Sequence, residues 1–508
     1  MNHPQNSAIV YLVGAGPGDP GLITIRGAEC LSRADLVLYD YLVNPAILRY
    51  ARPTAELICL GGHRFQRVMA QEEINARMVE AARTGRSVVR LKGGDPDVFG
   101  RTATETHALL AAGIRYETVP GVTAALAVAG YAGIPITHAD YSSAVALVTG
   151  HERQDKKGPP LDYEALAEFP GTLIFYMGVT TARQWSEALI RRGKSAETPV
   201  AVVRRCSWTD QQDFRCTLGT VADEIFARKL RPPAVIVIGE VVGLAAEQSW
   251  FTARPLFATR VLVTRPRDQA ENLVTSLTEL GADVLVQPAI EISPPTDWAA
   301  VDRALLGLEH YDWLVFSSSN GVRMLLERLM QIGGDLRRLG KLKLAAIGPG
   351  TADALRRYCL RADIIPSEYR AEALAESLAP DAQGQRFLLA RASRGREVLA
   401  EDLRAAGATV DQIVVYRSSD VDHPEPQIAD ALASGRIHWV TVTSSAIATS
   451  VVRMFGASLR KARIASISPI TSGVLRRLGF VPAVEATRYT IDGLVEAILR
   501  DREPPDAA

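Results

Sequence analysis

This chain has few cysteines, no net charge and no long apolar run, and each of these features excludes a class of protein. The five cysteines form no CxxC pair, and an odd count argues against a disulfide framework. The 57 basic and 57 acidic residues cancel, so no global field attracts nucleic acid or a membrane. The longest apolar stretch, around 122–136, is interrupted by glycines and is shorter than the ~20 residues of a membrane span. The N-terminus has no basic region followed by an apolar core, so we expect no export signal and a cytoplasmic protein.

Lysine is also scarce, because only eight of the 57 basic residues are lysines and arginine carries almost all of the positive charge. Arginine binds carboxylates through two parallel N–H bonds, which suits a substrate with several carboxylates, although genome composition is the simpler cause of the bias. The chain has 508 residues, of which 47% are hydrophobic and 22% are charged. These values predict a globular protein with two or more domains.

The most informative stretch is RLKGGDPDVFGR at 90–101. It continues an apolar run that predicts a buried strand, and the run breaks at Gly93 and Gly94. Two glycines bring bare backbone close to a ligand, Asp95 places a carboxylate at the strand end, and Pro96 fixes the turn. Ligands bind at the carboxyl ends of strands in open α/β sheets, so we expect a binding site here. An ordinary strand-to-helix turn is the alternative.

A second glycine-rich stretch, VYLVGAGPGDPGLIT at 10–24, contains a literal GxGxxG from Gly16 to Gly21. Asp40 lies about 20 residues further on, as a dinucleotide fingerprint requires. Pro17 and Pro20 have no N–H, however, so the loop lacks donors that a pyrophosphate would use. The pattern favours a ligand without phosphate and keeps a nucleotide-dependent oxidoreductase as a remote alternative.

Alternating apolar and amphipathic runs predict an α/β fold in two lobes, about 8–119 and 120–248. The predicted strands are 9–13, 36–39, 57–60, 88–91, 144–148, 172–176, 200–203 and 234–238, and the predicted helices are 71–84 and 104–112. We expect the ligand to lie between the lobes.

Seven segments of this half occur in the order of the tetrapyrrole methylases: GAGPGDPGLIT, ADLVLYDYLV, RLKGGDPDVFGR, VPGVTAALAVAGYAGIPITH, ALVTGH, TLIFYMG and PPAVIVIGEVV. The chain most resembles the uroporphyrinogen-III C-methyltransferases, over about 8–250. The resemblance implies a two-lobed methylase fold, S-adenosyl-L-methionine as the methyl donor, and a homodimer formed through this half. It further implies that the methyl donor is held by Pro17, Gly93, Gly94, Asp95, Val98, Thr123, Ala124, Met177 and Cys206.

Asp40, which ends the run LVLYD, matches the carboxylate that the family uses as a proton acceptor. On sequence alone, such an aspartate more often caps a helix. The chain departs from the family pattern at several positions. Gly62 replaces a lysine proposed as a proton donor, Ala139 replaces an arginine, Cys206 replaces a glycine, and 100–105 differs from the usual GRGGEE. These departures leave open a methylase domain that is inactive, regulatory or of altered specificity.

An internal repeat follows a predicted linker at 251–256. The segment RVLVTRP at 260 is echoed by RFLLARA at 386, YDWLVFSSSNG at 311 by IHWVTVTSSAI at 437, and AAIGPGTADALRR at 345 by ASISPITSGVLRR at 465. Each repeat contains strand-like runs followed by helical ones, so the sequence predicts two small α/β domains of flavodoxin-like size.

This second half resembles the uroporphyrinogen-III synthases over 257–505, through landmarks such as RPRDQAENL, VFSSSNGV, VVYRS and YTIDGLVEAI. The resemblance implies a discontinuous domain, 257–292 with 417–505, and an inserted domain at 295–414. It implies cyclisation of hydroxymethylbilane with Tyr416 as general acid. It also suggests substrate contacts from Arg265, Ser318, Ser319, Asn320, Thr351, Arg391, Thr443, Ser444 and Thr471. Ser468 replaces a glycine of the family pattern.

The two halves together predict a bifunctional enzyme, because the product of one is the substrate of the other. The second half makes uroporphyrinogen III, and the first methylates it to precorrin-2 for sirohaem or cobalamin. We expect tetrapyrroles as the small-molecule partners. We expect no metal, since the eight histidines show no ligand-like spacing and neither reaction needs one.

Overall fold

A computed structural model describes residues 8–61, 69–153, 155–245, 247–395 and 397–501. The chain folds into two compact units, with the boundary between Ala258 and Thr259. Within the described ranges, no helix combines the length and the apolar character that crossing a membrane requires.

The first sheet of the first unit is parallel throughout, and its central strands are short apolar runs that are covered on both faces, as is usual for parallel sheets. Its strands are β1 Ile9–Gly14, β2 Leu36–Tyr39, β3 Glu56–Cys59, β4 Val88–Lys92 and β5 Arg115–Val119, in the order β3-β2-β4-β1-β5. Its helices are α1 Ile25–Arg33, α2 Gln71–Arg83 and α3 Thr102–Ala111, whereas the next helix, α4 Ala124–Tyr131, packs on the second sheet. Helix α3 begins two residues before the predicted start, directly after Arg101, whose φ of 58° ends the preceding loop in the left-handed region.

The second sheet of the first unit is mixed, with β6 and β7 parallel and the remaining pairs antiparallel. Its strands are β6 Val145–Thr149, β7 Thr172–Tyr176, β8 Pro199–Arg204, β9 Gln212–Thr217 and β10 Ala234–Ile238, in the order β6-β7-β10-β8-β9. Its helices are α5 Tyr163–Glu168, α6 Ala182–Arg191 and α7 Val221–Ala227. Trp185 of α6 is fully buried and stacks on Phe175 of β7, which anchors the helix to the sheet. The prediction missed β9, whose residues are mostly polar and partly exposed.

The second unit contains two sheets built from the remaining elements. The strands are β11 Arg260–Val263, β12 Asp283–Val286, β13 Ile290–Ser293, β14 Trp313–Phe316, β15 Lys343–Ala346, β16 Arg386–Ala392, β17 Thr409–Asp420, β18 Trp439–Val442, β19 Arg463–Ser466 and β20 Val484–Glu485. The helices are α8 Arg267–Glu279, α9 Ala299–Leu306, α10 Ser319–Gln331, α11 Pro349–Arg357, α12 Ala371–Leu378, α13 Val398–Ala405, α14 Pro426–Ala433, α15 Ser445–Phe455, α16 Pro469–Arg477 and α17 Ile491–Arg500.

The repeat seen in the sequence corresponds to a repeat in the sheets. One sheet has the order β12-β11-β18-β19-β20, which is the flavodoxin-like 2-1-3-4-5 arrangement. The other has the order β13-β17-β16-β14-β15. The echoed segments follow one another in the same order in the two sheets, β11-β18-β19 in one and β16-β14-β15 in the other. The predicted α/β, flavodoxin-like architecture of this half is therefore confirmed.

The chain passes between these two sheets twice, and the two crossing segments pair with each other. Strand β13 runs antiparallel to the end of β17, with Ile290 opposite Asp420 and Ser293 opposite Arg417. Strand β17 is 12 residues long, because its first part also pairs in parallel with β16. Tyr416 lies on this long strand, where the β16–β17 register shifts.

Candidate functional site

A cleft of about 640 Å³ lies in the first unit, at the carboxyl ends of β1, β2 and β4 and beside the ends of β7 and β8. Cavities of ~300–1,000 Å³ are typical of small-molecule sites. The structure brings together in this cleft Asp40 and all nine residues that were predicted to hold the methyl donor, namely Pro17, Gly93, Gly94, Asp95, Val98, Thr123, Ala124, Met177 and Cys206. Their roles stay predictions, but their common location is a finding.

The floor of the cleft is a close contact between three backbone segments. Gly16 and Gly94 exchange two backbone hydrogen bonds, of 3.1 and 2.7 Å, and Gly94 has a φ of 71° that favours glycine. A Cβ atom on Gly14 would lie 2.6 Å from the backbone of Gly121, so no larger residue fits there. Asp95 ties the segments together, because its Oδ2 accepts a hydrogen bond from the Gly121 N–H at 2.9 Å. Asp95 therefore supports the shape of the cleft.

The loop that carries Pro17 is held from the second lobe. The indole N–H of Trp208 donates to the Pro17 carbonyl at 3.0 Å, and the Asp19 N–H donates to Ser207 Oγ at 3.0 Å. Arg205 lies over the Trp208 ring, with its guanidinium carbon 3.8 Å from the centroid. The Tyr131 hydroxyl donates to Asp19 Oδ2 at 2.8 Å. The loop is thus fixed at both Pro17 and Asp19.

Asp40 faces the cleft from the end of β2 and is paired with a buried arginine. Arg90 Nη2 donates to Asp40 Oδ1 at 2.6 Å, and Arg90 Nε donates to Glu105 Oε1 at 3.0 Å. Lys92 Nζ contacts Glu105 Oε2 at 2.6 Å and also donates to the Gly100 carbonyl. The side chain of Asp40 is 29% exposed, whereas those of Arg90, Lys92 and Glu105 are 5%, 3% and 0% exposed. These four residues alternate in charge and form one chain of ion pairs. Asp40, Arg90 and Lys92 line the cleft, whereas Glu105 does not.

Sequence reasoning missed this chain of charges, although a signal was present. Arg90 and Lys92 are two residues apart, so their side chains lie on the same face of the otherwise apolar strand VVRLK. A buried strand carries charged side chains only where residues of opposite charge pair with them. Glu105, on α3, is that partner. Burial lowers the pKa of Lys92, while the contact with Glu105 opposes the shift.

A tyrosine from the second sheet organises the start of helix α4. The Thr123 side chain does not cap the helix; instead, the Tyr176 hydroxyl accepts a hydrogen bond from the Ala125 N–H at 2.8 Å. The hydroxyls of Tyr176 and Thr123 are 2.6 Å apart. Burial raises the pKa of Tyr176. The tyrosine thus holds Thr123 and Ala124, two predicted cofactor contacts, against the second lobe.

The departures from the family pattern fall in different environments. Cys206 is 4% exposed, and burial raises the pKa of its thiol to about 12, so it presents a neutral group to the cleft. Ala139 is exposed and does not line the cleft. Gly62 lies outside the described residues. Ser468 caps helix α16, with its hydroxyl accepting from the Thr471 N–H at 3.4 Å.

In the second unit, some of the predicted residues meet in one polar network. The Tyr416 and Ser318 hydroxyls are 3.0 Å apart. Burial raises the pKa of Tyr416, and hydrogen bonds with Ser318 and Asn320 oppose this shift. Asn320 accepts from Gln269 Nε2 at 2.9 Å, and Gln269 also accepts a long hydrogen bond of 3.4 Å from Arg265. Burial lowers the pKa of Arg265.

The other predicted substrate contacts have different surroundings among the described residues. Thr351 and Thr471 are 6% and 2% exposed, which suits helix packing better than contact with a substrate. Arg391 is bound to Glu397 and, at 2.7 Å, to Gln412. The remaining three lie at helix starts or strand ends: Ser319, Thr443 and Ser444.

No cluster of three or more potential metal ligands occurs among the residues for which side chains are described.

Comparison with known proteins assigns a family to each half. The model of the Tetrapyrrole (Corrin/Porphyrin) Methylases matches residues 9–222, and that of Uroporphyrinogen-III synthase HemD matches residues 271–496. The chain is 34% identical to the Porphyrin biosynthesis protein HemD of Ruminiclostridium josui over 496 residues, which cover 96% of this chain and 97% of the relative.

Two further similarities concern the first half. The Uroporphyrinogen-III C-methyltransferase of Bacillus subtilis (strain 168) is 44% identical over 284 residues, which cover 56% of this chain and 59% of that protein. The chain thus spans less than two thirds of that relative. A solved structure of uroporphyrin-III C-methyltransferase from Thermus thermophilus, in complex with S-adenosylhomocysteine, is 38% identical with a TM-score of 0.41, and it covers 47% of this chain and 100% of its own.

Two α/β domains of these kinds on one chain define an enzyme of tetrapyrrole biosynthesis. The chain belongs to the family in which a tetrapyrrole methylase is fused to a uroporphyrinogen-III synthase, as its near full-length similarity to the Ruminiclostridium protein shows. The predicted family and fold are confirmed. Tetrapyrrole methylases use S-adenosylmethionine, which confirms the predicted cofactor and disfavours the oxidoreductase alternative.

Proposed function

We propose that this chain cyclises hydroxymethylbilane to uroporphyrinogen III and then C-methylates uroporphyrinogen III to precorrin-2, on the branch that leads to sirohaem or cobalamin. The methylase half, 8–250, carries the second reaction, and the synthase half, 257–505, carries the first. The single observation that most supports this proposal is the meeting of Asp40 with all nine predicted cofactor residues in one cleft.

The cleft suits S-adenosylmethionine better than a dinucleotide. Its lining includes the apolar side chains Val98, Phe99 and Met177, which suit an adenine ring and a thioether. Pro17 has no N–H to offer a phosphate, and its carbonyl is already bound by Trp208. The neutral Cys206 thiol adds no charge to this surface. The residues present therefore fit a methyl donor that carries no phosphate.

In the methylase half, the chain supplies position and a base. S-adenosylmethionine, when bound, supplies an electrophilic methyl group, and the sulfur keeps the electron pair of the broken C–S bond. Asp40 accepts the proton that the methylated pyrrole ring loses. Arg90 holds the Asp40 carboxylate toward the cleft, and Glu105 holds Arg90. Such positioning is the main requirement of an in-line transfer.

In the synthase half, Tyr416 donates a proton to the hydroxyl that leaves hydroxymethylbilane, so that the C–O bond breaks and water departs with its electron pair. The resulting azafulvene cation closes the ring through a spiro intermediate, which inverts the last pyrrole, and the proton released on closure restores the Tyr416 hydroxyl. Ser318 and Asn320 orient the Tyr416 hydroxyl, and the raised pKa keeps it protonated. Arg265, which lies at the end of β11, contributes a fixed positive charge for substrate carboxylates.

A methylase half without activity, or with another specificity, is the second candidate. The absence of an arginine at Ala139 and of a lysine at Gly62 favours it, because both positions belong to the family's substrate-handling set. Under this candidate the cleft still binds S-adenosylmethionine, but uroporphyrinogen III gains no methyl group. Assembly as a homodimer through the methylase half also stays a prediction, which light scattering would check.

A coupled assay tests the proposal. Freshly generated hydroxymethylbilane is supplied to the purified full-length protein with and without S-adenosylmethionine, and the oxidised products are identified by isomer-resolving chromatography and mass. Type III isomer that gains two methyl masses only with the cofactor supports both activities. Type III isomer without methylation supports the second candidate, and type I isomer alone would overturn the synthase activity.

A further inference from the structure

The segment 249–257, which we call the junction strap, lies between the two family matches and precedes the unit boundary at Ala258. It overlaps the stretch 251–256 that the sequence predicted as a linker. Its side chains nevertheless pack into the first unit, since Phe251 and Leu256 are each 2% exposed. The packing gives the strap a definite place within the methylase half.

Aromatic side chains of the strap pack against the end of helix α4. Phe251 meets the Tyr131 ring edge-on at a centroid distance of 4.8 Å, and Trp250 lies 5.4 Å from the same ring. The Trp250 indole N–H donates to the Gly130 carbonyl at 2.6 Å. Arg254 lies over both Trp250 and Phe251, at 4.5 and 4.8 Å from their centroids. Tyr131 is therefore held by two aromatic residues of the strap.

Tyr131 in turn reaches the loop that lines the cleft. Its hydroxyl donates to Asp19 Oδ2 at 2.8 Å, and the other Asp19 oxygen accepts from the Gly21 N–H at 2.7 Å. Burial raises the pKa of Tyr131, with the nearby Asp19 carboxylate acting in the same direction, so the hydroxyl stays protonated and can donate. Asp19 is two residues from Pro17, which lines the cleft.

We infer that the junction strap is a positioning element of the methyl-donor site: Trp250, Phe251 and Arg254 fix Tyr131, and Tyr131 fixes the Asp19 end of the cofactor loop. The inference rests on the proposed function, because it takes this cleft as the cofactor site. It extends the functional methylase beyond the matched residues 9–222 to the unit boundary.

Calorimetric titration of the full-length protein with S-adenosylhomocysteine tests this inference without requiring methyl transfer. Trp250 is 54% exposed, so Trp250→Ala removes its hydrogen bond to Gly130 and its ring contact with Tyr131 with little cost to the core, while Phe251 stays in place. We expect the dissociation constant of the Trp250→Ala variant for S-adenosylhomocysteine to rise about fivefold, which is the effect of losing roughly one net hydrogen bond. Tyr131→Phe should give a similar rise, because it deletes only the bond to Asp19. Phe226→Ala, on a side chain that is 82% exposed on α7, is the matched control and should change nothing.

A double-mutant cycle separates positioning from general loosening. If the strap acts through Asp19, Trp250→Ala should weaken binding much less in an Asp19→Ala background, which has no acceptor for Tyr131, than in the wild type. The inference would be overturned if the losses of affinity from the Trp250 and Asp19 substitutions were additive, or if Trp250→Ala bound as tightly as the Phe226→Ala control. Neither result would contradict the cofactor site. No binding by the wild-type protein would overturn the cofactor site itself, and the strap's role with it.

Discussion

Arg90 donates a hydrogen bond of 2.6 Å from Nη2 to Oδ1 of Asp40, which joins the central strand β4 to the end of β2 at the edge of the cleft. The arginine is almost fully buried, and the carboxylate is partly open. Burying charges in this way seldom stabilises a fold, because the desolvation penalty offsets the attraction between them. The arrangement accords with the proposed role of Asp40, which requires an oriented carboxylate in the cleft.

Replacing Asp40 should therefore affect methyl transfer far more than cofactor binding. We expect Asp40→Asn to lower the rate of uroporphyrinogen III methylation by about 10²-fold or more, which is the usual contribution of a general base. S-adenosylhomocysteine affinity should stay within about threefold of the wild type, since the cofactor-lining residues keep their places. Single-turnover methylation and calorimetry measure the two effects. Formation of type III isomer by the same preparation serves as the control, and near-normal methylation would contradict the role of Asp40.

Glu105 should matter for stability because it neutralises two buried cations. Glu105→Gln leaves Arg90 and Lys92 without their shared carboxylate, and breaking a buried ion pair costs about 3–5 kcal/mol. The free energy of unfolding of the first unit, measured by urea denaturation, should fall by an amount of this order.

Glu224→Gln on α7 is a matched control for Glu105→Gln. Glu224 also contacts an arginine, Arg228 at 3.0 Å, but both side chains are about half exposed. Such pairs contribute about 0.5 kcal/mol or less. Equal losses from the two substitutions would contradict the idea that burial decides the effect.

Tyr416 should determine which isomer the synthase half forms. We expect Tyr416→Phe to reduce the rate of type III formation by about 10–100-fold, so that spontaneous closure to type I increases. Ser318→Ala should have a smaller effect, because it removes only one partner of the tyrosine hydroxyl. Isomer-resolving chromatography of the product gives the ratio directly.

The pH dependence of type III formation provides a second check on Tyr416. Burial raises the pKa of Tyr416, and an ordinary tyrosine titrates near pH ~10. The proton donor is therefore lost only as the pH rises beyond that value, and type III formation should hold between about pH 7 and 9. The wild-type rate should then fall at higher pH, whereas the residual rate of Tyr416→Phe should lack this alkaline decline. A decline shared by both proteins would assign the titration to another group.

The cysteines should differ sharply in reactivity. Burial raises the pKa of Cys206 to about 12 and that of Cys30 and Cys216 to about 11, so none of these three carries much thiolate at neutral pH. Cys359 is exposed. Iodoacetamide should label Cys359 first in the native protein, as peptide mass spectrometry would show. Labelling of all five in urea is the control, and rapid native labelling of Cys206 would contradict its buried position in the cleft.

Local sequence determined much of the fold because strands that are buried on both faces are short, continuous apolar runs. Leu36–Tyr39, Thr172–Tyr176 and Ala234–Ile238 were predicted with the bounds that the structure shows. The motif order identified the family, and the echoes between 260 and 386, 311 and 437, and 345 and 465 anticipated two sheets with equivalent strand places. The glycines after β4 were predicted to bring backbone close to a ligand; the structure adds that Gly94 also pairs with the backbone of Gly16.

The tertiary structure alone decided which polar side chains act together. Glu105 of α3 meets Arg90 and Lys92 of β4, Tyr176 of β7 reaches Ala125 of α4, and Phe251 reaches Tyr131 from far along the chain. These pairs depend on strand order and helix placement, which local propensity and hydrophobic periodicity do not specify. Likewise, Thr351 and Thr471 were predicted at strand ends, whereas the structure places them in the first turns of α11 and α16 with buried side chains. Sequence thus determined the family and the place of many strands, and long-range packing determined the surroundings of Asp40.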